Sequence, residues 1–332
     1  MDDKWERIFG DLIPSLQRRI AGLIGIDTPE TLAFAPNTHQ FLLRLFSCVE
    51  PPVRVLSTDS EFHSFTRQSR RWEEEGLAIV DRVPTQPFET FADRFTTELR
   101  AGAHDFVYFS QVFFDSGFAL DGLDRVVSAV SEHATLVVVD GYHAFMAFPV
   151  DLGPIQDRVF YVAGGYKYAM SGEGVCFLHC PPGYAPRPVD TGWYASFGQL
   201  ESGVGDTVAY ATDGTRLAGA TFDPSGIYRM EAVLTWLAET GITPGVISDH
   251  VKALQRHFLA TGALPGRLVP SEAHSRGNFL TFESSRAAEI YAGLHERRVI
   301  TDHRGDRLRI GFGIYHDEQD VDRLAGILTD LI

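Results

Sequence analysis

Through the first 180 residues, short apolar runs alternate with stretches of helical spacing. Arg54–Thr58, Ala78–Val83, Phe106–Ser110 and Thr135–Val139 are each bounded by polar or glycine-containing turns. Between them Ser64–Glu75, Phe88–Ala101 and Leu120–Glu132 repeat apolar residues at helical intervals. The short runs read as strands and the longer periodic ones as helices. Their alternation predicts an α/β fold, a three-layer sandwich in which helices cover both faces of a mostly parallel sheet. In such sheets ligands bind beyond the carboxyl ends of the strands.

The pattern changes after residue 180. Pro181–Pro224 is rich in Gly, Pro, Tyr and Trp with weak periodicity, and reads as a long ordered excursion of the kind that often carries function. Helices are expected at Ile227–Glu239, Thr243–Thr261 and Arg286–Arg297, strands at Gly277–Phe282, Val299–Thr301 and Leu308–Gly311, and a last helix from about Glu318. This order predicts a large α/β domain over residues 1–224 and a small C-terminal α+β domain over 225–332.

Composition narrows the partners. A net charge of −15 argues against nucleic acid and anionic membrane, which reward dense positive patches. The charged start, Met-Asp-Asp-Lys-Trp-Glu-Arg, does not read as a signal peptide, and no apolar run approaches a membrane span. Three cysteines in 332 residues suit free thiols in a reducing cytoplasm. Cys176 and Cys180 fall on one face of a strand with no second ligand cluster nearby, so no metal site is expected.

Only three lysines occur, Lys4, Lys167 and Lys252, and Lys167 lies between two apolar strands after a glycine turn. An amine in apolar surroundings has a lowered pKa and can act as a Schiff-base nucleophile. The strand ending at Val139 leads directly into Asp140-Gly-Tyr-His143. A carboxylate at one strand end and a buried lysine after the next have a shared ligand in pyridoxal 5′-phosphate, with Asp140 pairing the ring nitrogen. His143 would bond the aspartate or stack near the ring. Taken singly, Asp140 could be a helix N-cap, His143 a core residue and Lys167 a snorkelling lysine; together they favour the cofactor. A phosphate needs backbone N–H groups at a helix start. Ala35-Pro36-Asn37-Thr38 precedes an apolar helical run with Asn37 or Thr38 able to cap it, and Tyr166 can offer its phenol.

With these residues in place the chain resembles the class V aminotransferase family of fold-type I (aspartate aminotransferase-like) pyridoxal phosphate enzymes, and its kynureninase-like branch. The resemblance runs from about residue 20 to the end. It rests on Asn37-Thr-His39, Thr58-Asp-Ser-Glu-Phe-His-Ser64, Ser110-Gln-Val-Phe-Phe-Asp-Ser-Gly117, Asp140-Gly-Tyr-His143, Tyr166-Lys167 and Arg307–His316. It implies that Lys167 is the Schiff-base lysine and Asp140 the pyridinium partner, with His143 beside it. It places Phe62 on the cofactor ring, and Tyr166, Ala35, Pro36 and Trp193 around the phosphate. Arg309 matches the arginine that grips the substrate α-carboxylate, a task suited to its bidentate fork; Arg307 lies on the same face. Family members are homodimers with shared sites, which would give the Trp/Tyr-rich excursion a purpose.

Departures bear on specificity. The chain is expected to begin late, without the segment that in the family packs over the substrate. Where relatives carry Gly-Thr-Pro, this chain has Gly219-Ala-Thr221, and Phe113 replaces an asparagine near the cofactor. The resemblance implies an enzyme acting on an α-amino acid, with hydrolytic Cβ–Cγ cleavage of an aromatic side chain as the first expectation and transamination as the alternative. Desulfuration would want a mobile cysteine, and Cys176 and Cys180 read as strand-bound. A non-catalytic scaffold that keeps the fold is the rival from another class.

Overall fold

A computed structural model of the chain describes residues 3–199 and 206–332; part of the Pro181–Pro224 excursion, residues 200–205, lies outside the described residues. A wide helical turn at Glu6–Leu12 runs on into α1 (Ile13–Ile24). There follow β1 (Leu32–Ala35), α2 (Thr38–Phe46), β2 (Val53–Thr58), α3 (His63–Glu74), β3 (Ala78–Val83), α4 (Phe88–Ala101), β4 (Phe106–Ser110), α5 (Leu123–Val127), β5 (Leu136–Asp140), β6 (Val159–Gly164) and β7 (Cys176–His179). The remainder forms α6 (Ser225–Glu239), α7 (Pro244–Ala260), β8 (Arg267–Leu268), β9 (Phe279–Glu283), α8 (Ala287–Glu296), β10 (Asp302–Arg304), β11 (Arg307–Gly311) and α9 (Glu318–Thr329).

The first seven strands form one sheet in the order β1-β7-β6-β5-β4-β2-β3. Only β7 runs against its neighbours, pairing antiparallel with both β6 and β1. Strand alternation divides the core between the two faces. On one, Phe109, Val137 and Val139 pack with Phe91 and Phe95 of α4; on the other, Tyr108, Leu136 and Val138 pack with Phe41 and Leu45 of α2 and Phe65 of α3. Helices therefore cover both faces, the three-layer α/β sandwich expected from the alternation. The last four strands form a separate antiparallel sheet in the order β10-β11-β9-β8. Its inner residues Leu280, Phe282, Leu308 and Ile310 join the same core as α4.

Two sequence expectations are corrected. The helix expected at Leu120–Glu132 shrinks to Leu123–Val127. Gly122 just before it is left-handed (φ 70°), and Phe118–Leu120 are drawn into strand-like pairing with Arg276, Ser275 and Gln111. Tertiary hydrogen bonds there outweigh a modest helical preference. The strand expected at Val299–Thr301 forms instead at Asp302–Arg304, because pairing with β11 starts at Asp302 opposite Arg309.

Candidate active site

The carboxyl end of the large sheet gathers the candidate residues. β6 ends at Gly164, where a side chain would run into the Tyr142 hydroxyl and come within 2.6 Å of the Val175 carbonyl. Only glycine lets the strand end sit this close. Lys167 follows in a turn closed by Met170 N–H to Lys167 O (3.1 Å) and Ser171 N–H to Gly165 O (2.8 Å). Met170 is held left-handed at φ 51°, a conformation costing a non-glycine residue about 1 kcal/mol or more. The half-buried Lys167 lines a cavity of about 710 Å³ together with His143, Tyr166, Tyr168, Phe279 and Arg309. Burial, and then the Arg309 charge, pull its amine down to about 8, while Asp140 and Asp302 act the other way.

Asp140 closes β5 and is buried. Its Oδ2 accepts from the Tyr108 hydroxyl and its Oδ1 from Tyr142 N–H, both at 2.9 Å. Burial raises its pKa; those two hydrogen bonds and the Lys167 charge oppose the rise. No helix begins at Asp140, so the bond to Tyr142 makes a local turn rather than a helix cap. Tyr108 is a site residue that the sequence reading passes over. Its signal was a tyrosine inside a fully apolar strand, whose hydroxyl must find a buried partner.

His143 does not bond the aspartate. Its Nδ1 is buried without a partner, and the ring lies 5.3 Å from Phe279 and 6.3 Å from Tyr168. Burial, then the Lys167 and Arg309 charges, push its pKa well below the ordinary value and keep it neutral.

Asn37, not Thr38, caps α2: its side chain accepts from Gln40 N–H at 3.2 Å. Ala35 ends β1 and Pro36 leads into that cap. Thr38 Oγ1 lies 3.7 Å from Cys176 Sγ on β7. Phe62 sits at the start of α3, 41% exposed, with its ring edge-on to Phe114 at 5.6 Å. Tyr166 is exposed, and Lys167 Nζ stands 5.6 Å from its ring centre. The Trp193 ring packs on Trp5, Tyr194 and Phe197 and its N–H donates to Thr221 Oγ1 at 3.0 Å; like Asp140, Phe62, Ala35, Pro36, Asn37 and Thr38, it does not line the Lys167 cavity. Phe113 is fully buried against Phe91 and Phe118. Cys176 and Cys180 are buried strand-end thiols; burial raises both, Cys180 up to about 12.

From the other side β11 presents Arg307 and Arg309 on one face. They do different things. Arg307 pairs with Asp115 at 2.6 Å. Arg309 enters the Lys167 cavity, where its guanidinium stands between the Phe114 and Phe279 rings, donates to Phe114 O and Asp302, and keeps a buried Nε without a partner. Asp302, directly opposite on β10, was not singled out by sequence.

Residues 257–328, which contain Arg309, match the Kynureninase C-terminal domain family. An isopenicillin N epimerase of Streptomyces clavuligerus is 28% identical, aligned over 96% of this chain and 84% of that protein. A cysteine desulfurase of Klebsiella pneumoniae is also 28% identical, but over 47% of this chain and 37% of its own. Among solved structures, a cystine C-S lyase in complex with cysteine persulfide superposes with a TM-score of 0.81 at 18% identity, covering 98% of this chain and 88% of that one. Together these matches make the chain similar to class V aminotransferase-like pyridoxal phosphate enzymes. The residues of this chain fit the cofactor. Asp140 is a buried carboxyl bonded only by neutral donors, which leaves a place for the positive charge of a protonated ring nitrogen. Across the cavity the unpartnered Nε of Arg309 fits a carboxylate.

Proposed function

We propose that the protein acts at Cα of an α-amino acid, with Lys167 as covalent anchor for the cofactor and as the base that takes the Cα proton. Support comes from one arrangement above all: a lysine with a lowered pKa and an arginine that line one cavity, with a buried carboxyl near enough to act on the lysine's charge. When bound, pyridoxal 5′-phosphate draws electrons away from Cα of an attached amino acid. Asp140 would hold the ring nitrogen's proton, and the α2 N-terminus with its Asn37 cap would receive the phosphate. Phe62 would lie on the ring, with Tyr166 beside the phosphate. Neutral His143 can take or give a hydrogen bond at Nδ1 without adding charge. Arg309 would grip the substrate carboxylate and so orient Cα towards Lys167.

Kynureninase-like hydrolytic cleavage of an aromatic side chain is the outcome we favour. The cavity walls offer Tyr168, Phe279, Phe312 and Tyr315 to an aromatic group, and the family match covers the small sheet that carries Arg309. Inversion at Cα is a second reading, supported by the epimerase that aligns along nearly the whole chain. Transamination shares the same proton removal. Desulfuration is disfavoured by thiols that are buried and raised. We further propose a homodimer, in which a second copy covers the exposed rings of Phe62, Tyr166 and Trp193. The unpaired thiols suit the cytoplasm.

The test is exchange in deuterated water with L-kynurenine and a panel of other L-amino acids, followed by NMR and chiral analysis. Deuterium at Cα with an aromatic acid and alanine as products supports the hydrolase. Exchange with the D-isomer as product supports inversion, and a keto acid supports transamination. No exchange with any substrate, in a protein that binds no cofactor, leaves the non-catalytic scaffold.

A further inference from the structure

One buried carboxyl at the site edge is unused by the chemistry above. Glu61 lies in the turn between β2 and α3 and is 3% exposed. Burial pushes it up to about 8, with hydrogen bonds from Ser110 and Thr58 opposing and the Asp140 charge adding to the rise. Sinking a carboxyl this deep is costly unless its hydrogen bonds are made. Here they are made in full. Oε1 accepts Thr58 Oγ1–H at 2.7 Å and Ser110 N–H at 3.1 Å, and Oε2 accepts Ser110 Oγ–H at 2.6 Å.

The placement of those donors gives the carboxyl its meaning. Thr58 ends β2 and Ser110 ends β4, where Ser110 is the strand neighbour of Asp140. Glu61 thus ties the turn to the strand end beside the proposed ring-nitrogen partner. The next residue is Phe62, whose ring is 41% exposed and meets Phe114 edge-on at 5.6 Å and His63 tilted at 5.7 Å. A ring this open is placed by its backbone. That backbone is held by Glu61, by Ser60 Oγ to Thr85 Oγ1 (2.8 Å) and by Thr66 Oγ1–H to the Glu61 carbonyl (2.9 Å).

We propose that Glu61 is a positioning residue for the cofactor: its carboxyl, clamped to Thr58 and Ser110, sets where the Phe62 ring stands relative to Asp140. The inference rests on the pyridoxal phosphate reading of the site. Glutamine can reproduce the clamp, its oxygen accepting from Thr58 and Ser110 N–H while its amide donates to Ser110 Oγ. Alanine cannot. The clamp is therefore a matter of hydrogen-bond shape rather than charge.

The experiment titrates cofactor-free wild type, Glu61→Gln, Glu61→Ala and Ser110→Ala with pyridoxal 5′-phosphate. It reads the dissociation constant and the visible circular dichroism of the bound cofactor, alongside the melting temperature of each cofactor-free protein. Removing a partner that orients a metal ligand costs roughly 10–100-fold in affinity, and a loss on that scale with a weakened dichroic band is expected for Glu61→Ala. Ser110→Ala, which deletes one donor, should lose about 3–10-fold, and Glu61→Gln should stay within about 3-fold. A merely structural pin would lower the melting temperature and leave affinity and dichroism unchanged wherever the protein is folded; that result overturns the proposal. So does a Glu61→Gln variant as weak as alanine, since charge would then be the cause. If Glu61→Ala does not fold, Ser110→Ala decides by the same two readings. A wild type that binds no cofactor would instead sink the reading on which the inference stands.

Discussion

The buried strand ends of the large sheet, which form the floor of the site, and the mouth of the Lys167 cavity are built on opposite plans. On the floor, Asp140, Tyr108, Glu61 and Ser110 are buried, and their bonds to one another run through neutral donors at 2.6–3.1 Å. At the mouth, Arg309 meets Asp302 on a short hairpin, Tyr315 is 75% exposed and Ile300 is 89% exposed. A buried, fully bonded network has one arrangement, because every alternative leaves a polar group unpaired. A half-exposed ion pair near solvent is worth little and can trade one carboxylate for another. The floor is thus suited to a fixed cofactor and the mouth to a substrate that comes and goes. Floor variants should lose the chemistry; mouth variants should change only how tightly substrate is held.

The largest expected loss is at the floor's edge. Lys167→Ala should abolish covalent cofactor attachment, read by borohydride trapping and mass spectrometry, and slow Cα exchange by roughly 10²–10⁴-fold. A variant that kept the wild-type exchange rate would move the base elsewhere. Asp140→Asn should slow exchange by roughly 10²–10³-fold, yet make the cofactor-free protein more stable. The sign follows from linkage. Burial raises Asp140 in the folded state, so across that window the native chain binds more protons than the unfolded one and stability falls as pH rises. Once ionised, the buried carboxyl is a cost to the cofactor-free fold, and asparagine removes it. A gain on the order of 1 kcal/mol, roughly 1–2 °C in melting temperature for a chain of this length, is expected by calorimetry. A variant both slower and less stable would mean that Asp140 serves the fold first.

The same comparison makes a pH prediction. The Lys167 amine, lowered from 10.5 to about 8, must shed its proton to attack an aldehyde. Covalent capture of added cofactor should therefore quicken with pH through a midpoint of about 8 and level off above it. Capture that kept rising towards 10.5 would describe an ordinary exposed lysine. Between those two values the unfolded chain holds the proton and the native chain does not, so this group makes cofactor-free stability rise with pH.

How far the sequence discloses the molecule follows from the same physics. Ala78–Val83, Phe106–Ser110 and Phe88–Ala101 form where their apolar spacing places them, because local pattern and burial agree there. Lys167 and Asp140 stand out because each interrupts an apolar run just where a strand ends. The helix at Ile13–Ile24 was passed over, although Leu16, Ile20 and Ile24 stand at helical spacing and a glycine, Gly25, stops it in the left-handed region. Glu61 and Asp302 were not legible. The partner of Glu61 is Ser110, 49 residues away, and Asp302 meets Arg309 only because the β10–β11 register sets them opposite. Pairings that tertiary structure creates leave no periodic trace. Nor does composition separate Arg307 from Arg309: both face the same way, and only Asp115 and Asp302 give them different work.

The smallest effect expected is the one that tests the mouth most directly. Asp302 occupies part of the Arg309 fork, the group proposed to take the substrate carboxylate. Because the pair is partly open to solvent, Asp302 competes with substrate but cannot exclude it. Asp302→Asn should lower the KM for an amino acid by about 3–10-fold, near 1 kcal/mol of binding, with kcat almost unchanged. Arg309→Lys should move KM the other way, because an ammonium cannot reproduce the planar fork. If Asp302→Asn instead raises KM, the aspartate aims Arg309 rather than blocking it, and the mouth is as preorganised as the floor.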